Sequence, residues 1–182
     1  MQAGFGRTGK NFGFEHYKIT PDLICCGKGM GGGIPLSGII GRKEILDLPD
    51  VGNMSSTNSA NPISCSAGLA VLEEIQKKKL TLGSKNKGKL LHQELNKISN
   101  SKKNLFKVYG KGLIAALIFD NKIPSIELKL KNLVQKCIED GLLLVYTGRE
   151  SIKLGPPLTI TKSAILLATK IIEKNINLIF NE

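Results

Sequence analysis

The spacing of apolar and polar positions changes near residue 80 of the chain. Before that point, the apolar run 21–26 leads into a glycine cluster, a pattern typical of a buried strand that feeds a loop. Residues 36–41 predict a second strand. A helix is predicted to start at Asn61 and Pro62, with asparagine as the N-cap, and to continue through ISCSAGLAVLEEIQKKK. Its first half is apolar nearly all round, so we expect it to be buried.

The second part of the chain is helical and rich in lysine. After a break near Gly83, a helix continues with Leu91, Leu95 and Ile98 on one face. Strands are predicted at 106–109, 113–119, 142–146 and 151–154, and two further helices are predicted, one around residues 130–138 and one after a cap at Thr161. The pattern therefore predicts an α/β layer with a connector helix over residues 1–80 and a small α+β domain over residues 81–182.

The composition is that of a globular protein without a membrane span. With 182 residues, 41% of them hydrophobic, the chain can bury a real core. Its longest apolar runs, such as 113–119, are far shorter than the about 20 residues that cross a bilayer. The N-terminus resembles neither a signal peptide nor a transit peptide, so we expect a cytoplasmic protein without membrane association.

Charge and cysteine usage exclude further classes of protein. The net charge of +11 comes almost wholly from scattered lysines, because only Arg7, Arg42 and Arg149 are arginines. Nucleic-acid surfaces favour arginine with interleaved aromatics, so we interpret the lysines as a solvated surface and expect no nucleic-acid partner. The four cysteines form no CxxC pair, which favours reduced thiols in a core over a metal site or a disulfide framework.

Two stretches match the GxGxxG pattern, beginning at Gly4 and at Gly27. Neither lies between a strand and a helix as a dinucleotide site requires, and Lys28 is followed by glycine instead of the serine or threonine of a Walker loop. What remains is a lysine at the end of an apolar strand, followed by Gly29, Gly31, Gly32 and Gly33. A partly desolvated lysine amine is a nucleophile for aldehydes, but a surface lysine in a flexible turn fits the local sequence equally well.

Longer blocks of sequence decide between these interpretations. The stretch GFGRTGKNFGFEHYKITPDLICCGKGMGGGIPLSGIIGRKEI resembles the cofactor-lysine region of class III aminotransferases, which include acetylornithine, ornithine and 4-aminobutyrate aminotransferases. The resemblance continues through SSTNSANPISCSAGLAVLEEI, GKGL at 110–113 and LGPPLTIT at 154–161. It implies an α/β fragment of a fold-type I pyridoxal-phosphate transferase, with a partial large-domain sheet and a small α+β C-terminal domain.

The resemblance assigns roles to four residues. Lys28 would form the Schiff base to pyridoxal 5'-phosphate and would carry the proton between substrate and cofactor. Gln2 matches a glutamine directed at the ring hydroxyl of the cofactor, and Thr57 matches a threonine that reaches the cofactor phosphate, usually that of the neighbouring subunit of a homodimer. Lys153 stands where ornithine-type members carry an arginine for substrate carboxylates, a departure that keeps the charge but loses the bidentate fork. No metal ligand is implied, and we expect structural roles for Arg7, His16 and His92.

The implied reaction transfers an amino group from an amine or amino acid to a 2-oxo acid. Family members carry an Asp-Glu pair just before the position of Met1, together with a phosphate-binding loop and further strands, none of which lies within this sequence. We therefore expect residues 1–182 to be inactive in isolation. The alternatives are a related fold-type I aminomutase or decarboxylase, and a non-catalytic remnant that associates with an intact relative.

Overall fold

The computed structural model describes residues 2–103 and 105–180, and it divides into two compact units. Unit 1 comprises residues 1–82 and unit 2 comprises residues 83–182. The division falls within one helix, Leu80–Ser101. No helix of the described residues is long and apolar enough to cross a membrane.

Unit 1 contains one small sheet and short helices. Strand β1 (Leu23–Cys26) pairs antiparallel with β2 (Gly38–Gly41), so that Cys26 lies opposite Gly38. Two 3₁₀ helices, Gly13–His16 and Lys28–Gly31, precede and follow β1. Helix α1 (Lys43–Leu46) and helix α2 (Pro62–Lys77) complete the unit.

The expected burial of β1 and α2 is wrong for this unit. Of the four residues of β1 only Cys26 is buried, and Gly68 is the single buried residue of α2. Ile63 and Leu69 of α2 are 74% and 61% exposed. A two-stranded sheet with few neighbouring elements cannot cover both its own faces and those of a helix, so the apolar pattern predicts a preference for burial that unit 1 does not satisfy.

The prediction of a helix break near Gly83 is also wrong. Helix α2 ends at Lys77, with Lys78 as its C-cap, and Lys79 takes a left-handed conformation with φ of 49° before α3 (Leu80–Ser101) begins. Gly83 lies inside α3. A single glycine costs a helix only about 1 kcal/mol, so it does not by itself end one.

Unit 2 is a four-stranded antiparallel sheet with helices on one face. The strands are β3 (Phe106–Lys111), β4 (Ile114–Phe119), β5 (Val145–Gly148) and β6 (Ser151–Leu154), in the order β3-β4-β6-β5. Helix α4 (Ile126–Glu139) separates the two hairpins, and α5 (Lys162–Phe180) follows β6. The strand predicted at 142–146 starts later, because the Leu142 amide donates to the Cys137 carbonyl and thereby extends the end of α4.

The hydrophobic core lies in unit 2. Alternate residues of the strands face α3, α4 and α5, and Leu95, Leu117 and Ile172 are fully buried there. Cys137 belongs to this core, where burial raises the pKa of its thiol to about 11. Cys25, in contrast, is exposed, so the expectation that every thiol lies in a core is wrong for this residue.

Candidate cofactor site

Lys28 opens the 3₁₀ helix directly after β1 and Gly27. Its backbone is left-handed, with φ of 53°, and the turn ends at Gly32, which is left-handed as well. A side chain other than glycine in this region costs about 1 kcal/mol or more and persists where the surroundings enforce it. Other residues such as Lys18 and Lys79 share this conformation, so it does not by itself mark a functional site. At Lys28 it fixes the direction in which the side chain leaves the strand.

The Lys28 amine is available for reaction. Its side chain is exposed, and within residues 2–103 and 105–180 it forms no hydrogen bond or ion pair. The partly desolvated amine considered from the sequence is therefore not found in this unit. A Cβ placed on Gly29 or on Gly33 would meet no atom within 4 Å, so the backbone beside the amine is open. An amine without an acidic partner, next to open backbone, fits a bulky aldehyde cofactor.

Helix α2 packs against the glycine turn and the residues that follow it. A Cβ on Gly32 would lie 2.7 Å from Val71 Cγ2, and a Cβ on Gly68 would lie 2.5 Å from Leu36 Cδ2. Both glycines thus allow the turn and the helix to pack closely. Sequence reasoning missed Gly68, although an isolated glycine inside an apolar helix is a known signal of close packing.

Thr57 lies in an exposed loop that precedes α2. The amides in the first turn of this helix are already engaged, because Asn61 Oδ1 accepts from the amides of Ile63 (3.0 Å) and Ser64 (3.4 Å). Proline at position 62 has no amide hydrogen to offer. A phosphate would therefore depend on the Thr57 hydroxyl and the loop amides, and not on the first turn of the helix.

The N-terminal segment holds Gln2 and Arg7 in unit 1. Gln2 is exposed and precedes a short bridge between Gly4 and Phe12. Arg7 is half-buried, and burial lowers the pKa of its guanidinium from the usual value. His16 Nε2 lies 3.0 Å from the buried Thr8 hydroxyl. These contacts agree with structural roles for Arg7 and His16.

Lys153 lies in unit 2, on the inner strand β6. It is half-buried, with Ala116 of β4 and Val145 of β5 as its cross-strand neighbours. The LGPPLTIT segment that follows is held on α3, because Lys87 Nζ donates to the carbonyls of Leu158 (2.6 Å) and Ile160 (2.8 Å). The position of Lys153 is thus set by the sheet on both sides.

The four residues expected at the site are divided between the units. Gln2, Lys28 and Thr57 belong to unit 1, and Lys153 belongs to unit 2. Within the described residues of unit 1, no hydrogen bond or ion pair joins Gln2, Lys28 and Thr57 to one another. Among all the residues that the structure describes, no group of three or more histidine, cysteine, aspartate or glutamate side chains could hold a metal ion.

Solved structures with this arrangement are fold-type I pyridoxal-phosphate aminotransferases. The acetylornithine aminotransferase from Elizabethkingia anophelis matches with a TM-score of 0.86 and 34% identity, over 100% of this chain and 44% of that chain. The ornithine delta-aminotransferase of Plasmodium falciparum matches with a TM-score of 0.89 and 29% identity, over 98% of this chain and 45% of that one. The fold class expected from the sequence is confirmed.

The family follows from the sequence comparison. The family model "Aminotransferase class-III" matches residues 1–176, so the chain belongs to the class III aminotransferases, which depend on pyridoxal phosphate. The resemblance stated from the motifs is confirmed.

Individual relatives show how much of such a protein is present. The chain is 35% identical to the acetylornithine aminotransferase of Caldanaerobacter subterraneus, over 95% of this chain and 42% of that protein. It is 36% identical to the acetylornithine aminotransferase of Synechocystis, over 97% and 40%, and 36% identical to the leucine/methionine racemase of Thermococcus litoralis, over 91% and 38%. The chain therefore spans about 40% of the length of the curated relatives it matches.

Proposed function

We propose that the chain carries the cofactor lysine of a pyridoxal-phosphate aminotransferase, which transfers an amino group from an amine or amino acid to a 2-oxo acid. The observation that carries this proposal is the exposed, partnerless Lys28 amine at the end of β1, held in a left-handed turn beside open glycine backbone. Membership of the class III family supplies the reaction class.

Lys28 has two tasks in this proposal. Its Nζ would hold the cofactor at the aldehyde carbon, and the amine, when free, would take up the proton of the substrate carbon and return it. The pyridoxal ring would supply an electron sink for the pair of electrons left by that proton. The left-handed backbone at Lys28 sets the direction in which the side chain leaves the turn.

Three other residues complete the proposed site. Gln2 would contact the ring hydroxyl and Thr57 would hold the phosphate of the cofactor. Lys153 would attract the substrate carboxylate as a point charge, without the bidentate geometry of an arginine. This difference predicts weaker discrimination between carboxylate substrates than an arginine at the same position would give.

We also propose a homodimer in the cytoplasm. The stretch around Thr57 exposes large apolar side chains, among them Leu48 at 76%, Met54 at 71% and Val51. Apolar clusters of this kind usually mark interaction sites, and a second subunit that covers this stretch would bring Thr57 to its own cofactor site. The four free cysteines fit a reducing compartment.

The proposal is tested by adding one equivalent of pyridoxal phosphate to the chain and removing unbound cofactor by gel filtration. The wild type and Lys10→Ala, a variant of another exposed lysine of unit 1, should retain the absorbance of the lysine imine. Lys28→Ala should lose it. Equal retention by Lys28→Ala would contradict the proposal, and no retention by the wild type would favour the non-catalytic remnant.

A racemase among the relatives gives a second candidate function. The Thermococcus litoralis protein is as similar in sequence as the aminotransferases are, and racemisation also requires a base at the substrate carbon. The two functions differ in their need for a 2-oxo acid. An active protein containing this chain that inverts an amino acid without any 2-oxo acid would favour the racemase.

A further inference from the structure

One face of the unit 2 sheet carries a small residue between two large ones. On β4, the buried residues Ala115 and Leu117 alternate with Ala116, which therefore points away from the core. We call the side of the sheet that carries Ala116 the outer face. In the register of the sheet, Ala116 lies opposite Tyr109 of β3 on one side and opposite Lys153 of β6 on the other. The three residues thus form a row across three strands, with the smallest side chain in the middle.

Two isoleucines close this row along the direction of β4. Ile114 and Ile118 lie two residues before and after Ala116, so they point to the same face. Ile118 is 41% exposed and Tyr109 is 53% exposed, whereas the much smaller Ala116 is half-buried. Larger side chains therefore surround Ala116 on all four sides, and its methyl group forms the floor of a shallow depression. We call this feature the Ala116 depression.

The Ala116 depression lies on a face that attracts anions. Three lysines point to the outer face, Lys107 and Lys111 on β3 and Lys153 on β6. Within the described residues of unit 2, none of their ammonium groups forms a hydrogen bond or ion pair. None of the residues that the four described strands present on this face is acidic. Ammonium groups without neighbouring carboxylates create a positive potential, which favours a carboxylate ligand at this face.

Protection of the sheet edge accounts for only two of these lysines. Strand β3 is an edge strand, where lysines commonly prevent strands of other molecules from pairing. Strand β6 lies inside the sheet between β4 and β5, so Lys153 has no edge to protect. Edge protection also does not require an alanine between this lysine and Tyr109. Binding of a carboxylate ligand explains both the inner lysine and the depression beside it.

We propose that Ala116 and Tyr109 determine which substrates the protein accepts, because they admit a carboxylate with an unbranched chain and exclude one that branches beside the carboxyl group. This inference rests on the proposed function, since it takes Lys153 as the residue that attracts the substrate carboxylate. The chain of the ligand would lie on the methyl group of Ala116, with the ring of Tyr109 as the opposite wall.

The width of the depression sets the limit on branching. Neighbouring strands are about 4.8 Å apart, so the Cα atoms of Tyr109 and Lys153, two strands apart, are separated by roughly 9.6 Å. Carbon atoms in contact lie about 3.5–4.0 Å apart, so contacts with both walls use roughly 7–8 Å of this width. The remaining width of roughly 2 Å admits one unbranched chain. A carbon atom that carries additional methyl groups would press one of them into a wall.

The test compares two isomeric carboxylates that differ only in branching, by NMR titration of the isotope-labelled chain without cofactor. The ligands are pentanoate and pivalate, which carries all its methyl groups on the carbon beside the carboxylate. We expect pentanoate to give saturable chemical-shift changes at Tyr109, Ala116 and Lys153, with a dissociation constant on the order of 10 mM for so small a ligand. Pivalate should bind about tenfold more weakly.

Variants separate the roles of the three residues. Ala116→Leu fills the depression and should weaken pentanoate binding at least about fivefold, whereas Ala164→Leu, at an exposed position of α5, should leave it unchanged. Tyr109→Ala removes one wall, so the two isomers should bind with nearly equal affinity. Since Tyr109 is exposed, this variant keeps the test decisive even if Ala116→Leu does not fold. Lys153→Gln removes the ammonium group and should abolish the shifts from both ligands.

Three results would overturn the inference. Equal binding of the two isomers by the wild type, or pentanoate binding and discrimination unchanged in Tyr109→Ala, would contradict it and leave the role of Lys153 intact. Pentanoate binding unchanged in Lys153→Gln would contradict both the inference and the role of Lys153 in the proposed function. Absence of saturable shifts at about 100 mM pentanoate, well above the expected dissociation constant, would show that the depression binds no carboxylate. The Lys28 imine is measured without a carboxylate ligand, so a failure of cofactor binding is distinguishable from all three.

Discussion

The two units of the chain differ in how many of their apolar residues are buried. Unit 2 buries a continuous cluster that runs from Leu91 to Ile176. Among the described hydrophobic residues of unit 1, only Cys26 is buried. Three of the four proposed site residues nevertheless lie in unit 1. The comparison teaches that the proposed cofactor lysine belongs to the part of the chain with the least core of its own.

The largest expected effect comes from removing a core side chain of unit 2. Leu133 is fully buried, and Leu133→Ala should lower the free energy of unfolding by about 2–5 kcal/mol, since it leaves a cavity. Leu69→Ala in unit 1, at a position 61% exposed, should change it by less than about 0.5 kcal/mol. Urea unfolding followed by circular dichroism measures both. If Leu69→Ala lowered the free energy of unfolding as much as Leu133→Ala does, the claim that the core lies in unit 2 would be wrong.

Substitution of one helical glycine in each unit tests the difference between the two units further. A Cβ on Gly88 would overlap the backbone of Gly112, which cannot move aside, so Gly88→Ala should cost at least about 1–3 kcal/mol. A Cβ on Gly68 would crowd only the far end of the flexible Leu36 side chain, and its contact with the Met30 carbonyl oxygen, at 3.6 Å, is an ordinary one. Gly68→Ala should therefore be nearly neutral, because the gain of roughly 1 kcal/mol in helix propensity offsets the displacement of Leu36. Thermal unfolding of the two variants should show the difference directly, and equal midpoints would refute it.

A smaller effect is expected at the start of α2. Asn61 accepts two amide hydrogen bonds there, and Asn61→Ala should destabilise the helix by about 1 kcal/mol. Hydrogen exchange at the Ile63 and Ser64 amides is the measurement, and Asn61→Ser is the control that keeps a capping oxygen. If exchange at these amides is unchanged in Asn61→Ala, unit 1 is held by contacts other than this cap.

The smallest effect concerns pH. Burial lowers the pKa of the His92 imidazole on α3, and the backbone of Gly112 and Ile114 offsets this only in part. The unfolded chain therefore binds the proton more tightly than the folded one, so stability is full above the ordinary pKa of about 6.5 and falls as the pH drops towards the lowered value. Denaturation between pH 7 and pH 5, at about the range of this titration, should show the loss in wild type. His92→Gln should flatten it, whereas an identical slope in the variant would assign the loss to other groups.

Local signals in the sequence were sufficient for much of the fold. The N-cap of α2 and most strands of unit 2 lie where the pattern predicts them, because capping residues and alternation act over a few neighbours. The degree of burial in unit 1 was not predictable, since it depends on packing between residues that are far apart in sequence. The helix break at Lys79 was not predictable either, because no sequence signal marks a lysine with a left-handed backbone. The bonds of Lys87 to Leu158 and Ile160 likewise join residues more than 70 positions apart.

The site was accessible mainly through resemblance. Residue chemistry alone leaves Lys28 equally well explained as a lysine in a flexible turn, and only the longer motifs favour the cofactor role. The structure adds the strained backbone and the open glycines, which the letters of the sequence do not reveal. The structure also shows that Asn61 engages the Ile63 and Ser64 amides in the first turn of α2.

The most direct test of the account is to trap the cofactor on the chain. Pyridoxal phosphate is added in equal amount, the imine is reduced with borohydride, and the modified peptides are identified by mass spectrometry. We predict that the peptide with Lys28 carries most of the reduced pyridoxyl group, although lysines are scattered along the whole chain. Label spread evenly over the exposed lysines, or concentrated on another residue such as Lys10 or Lys153, would contradict it.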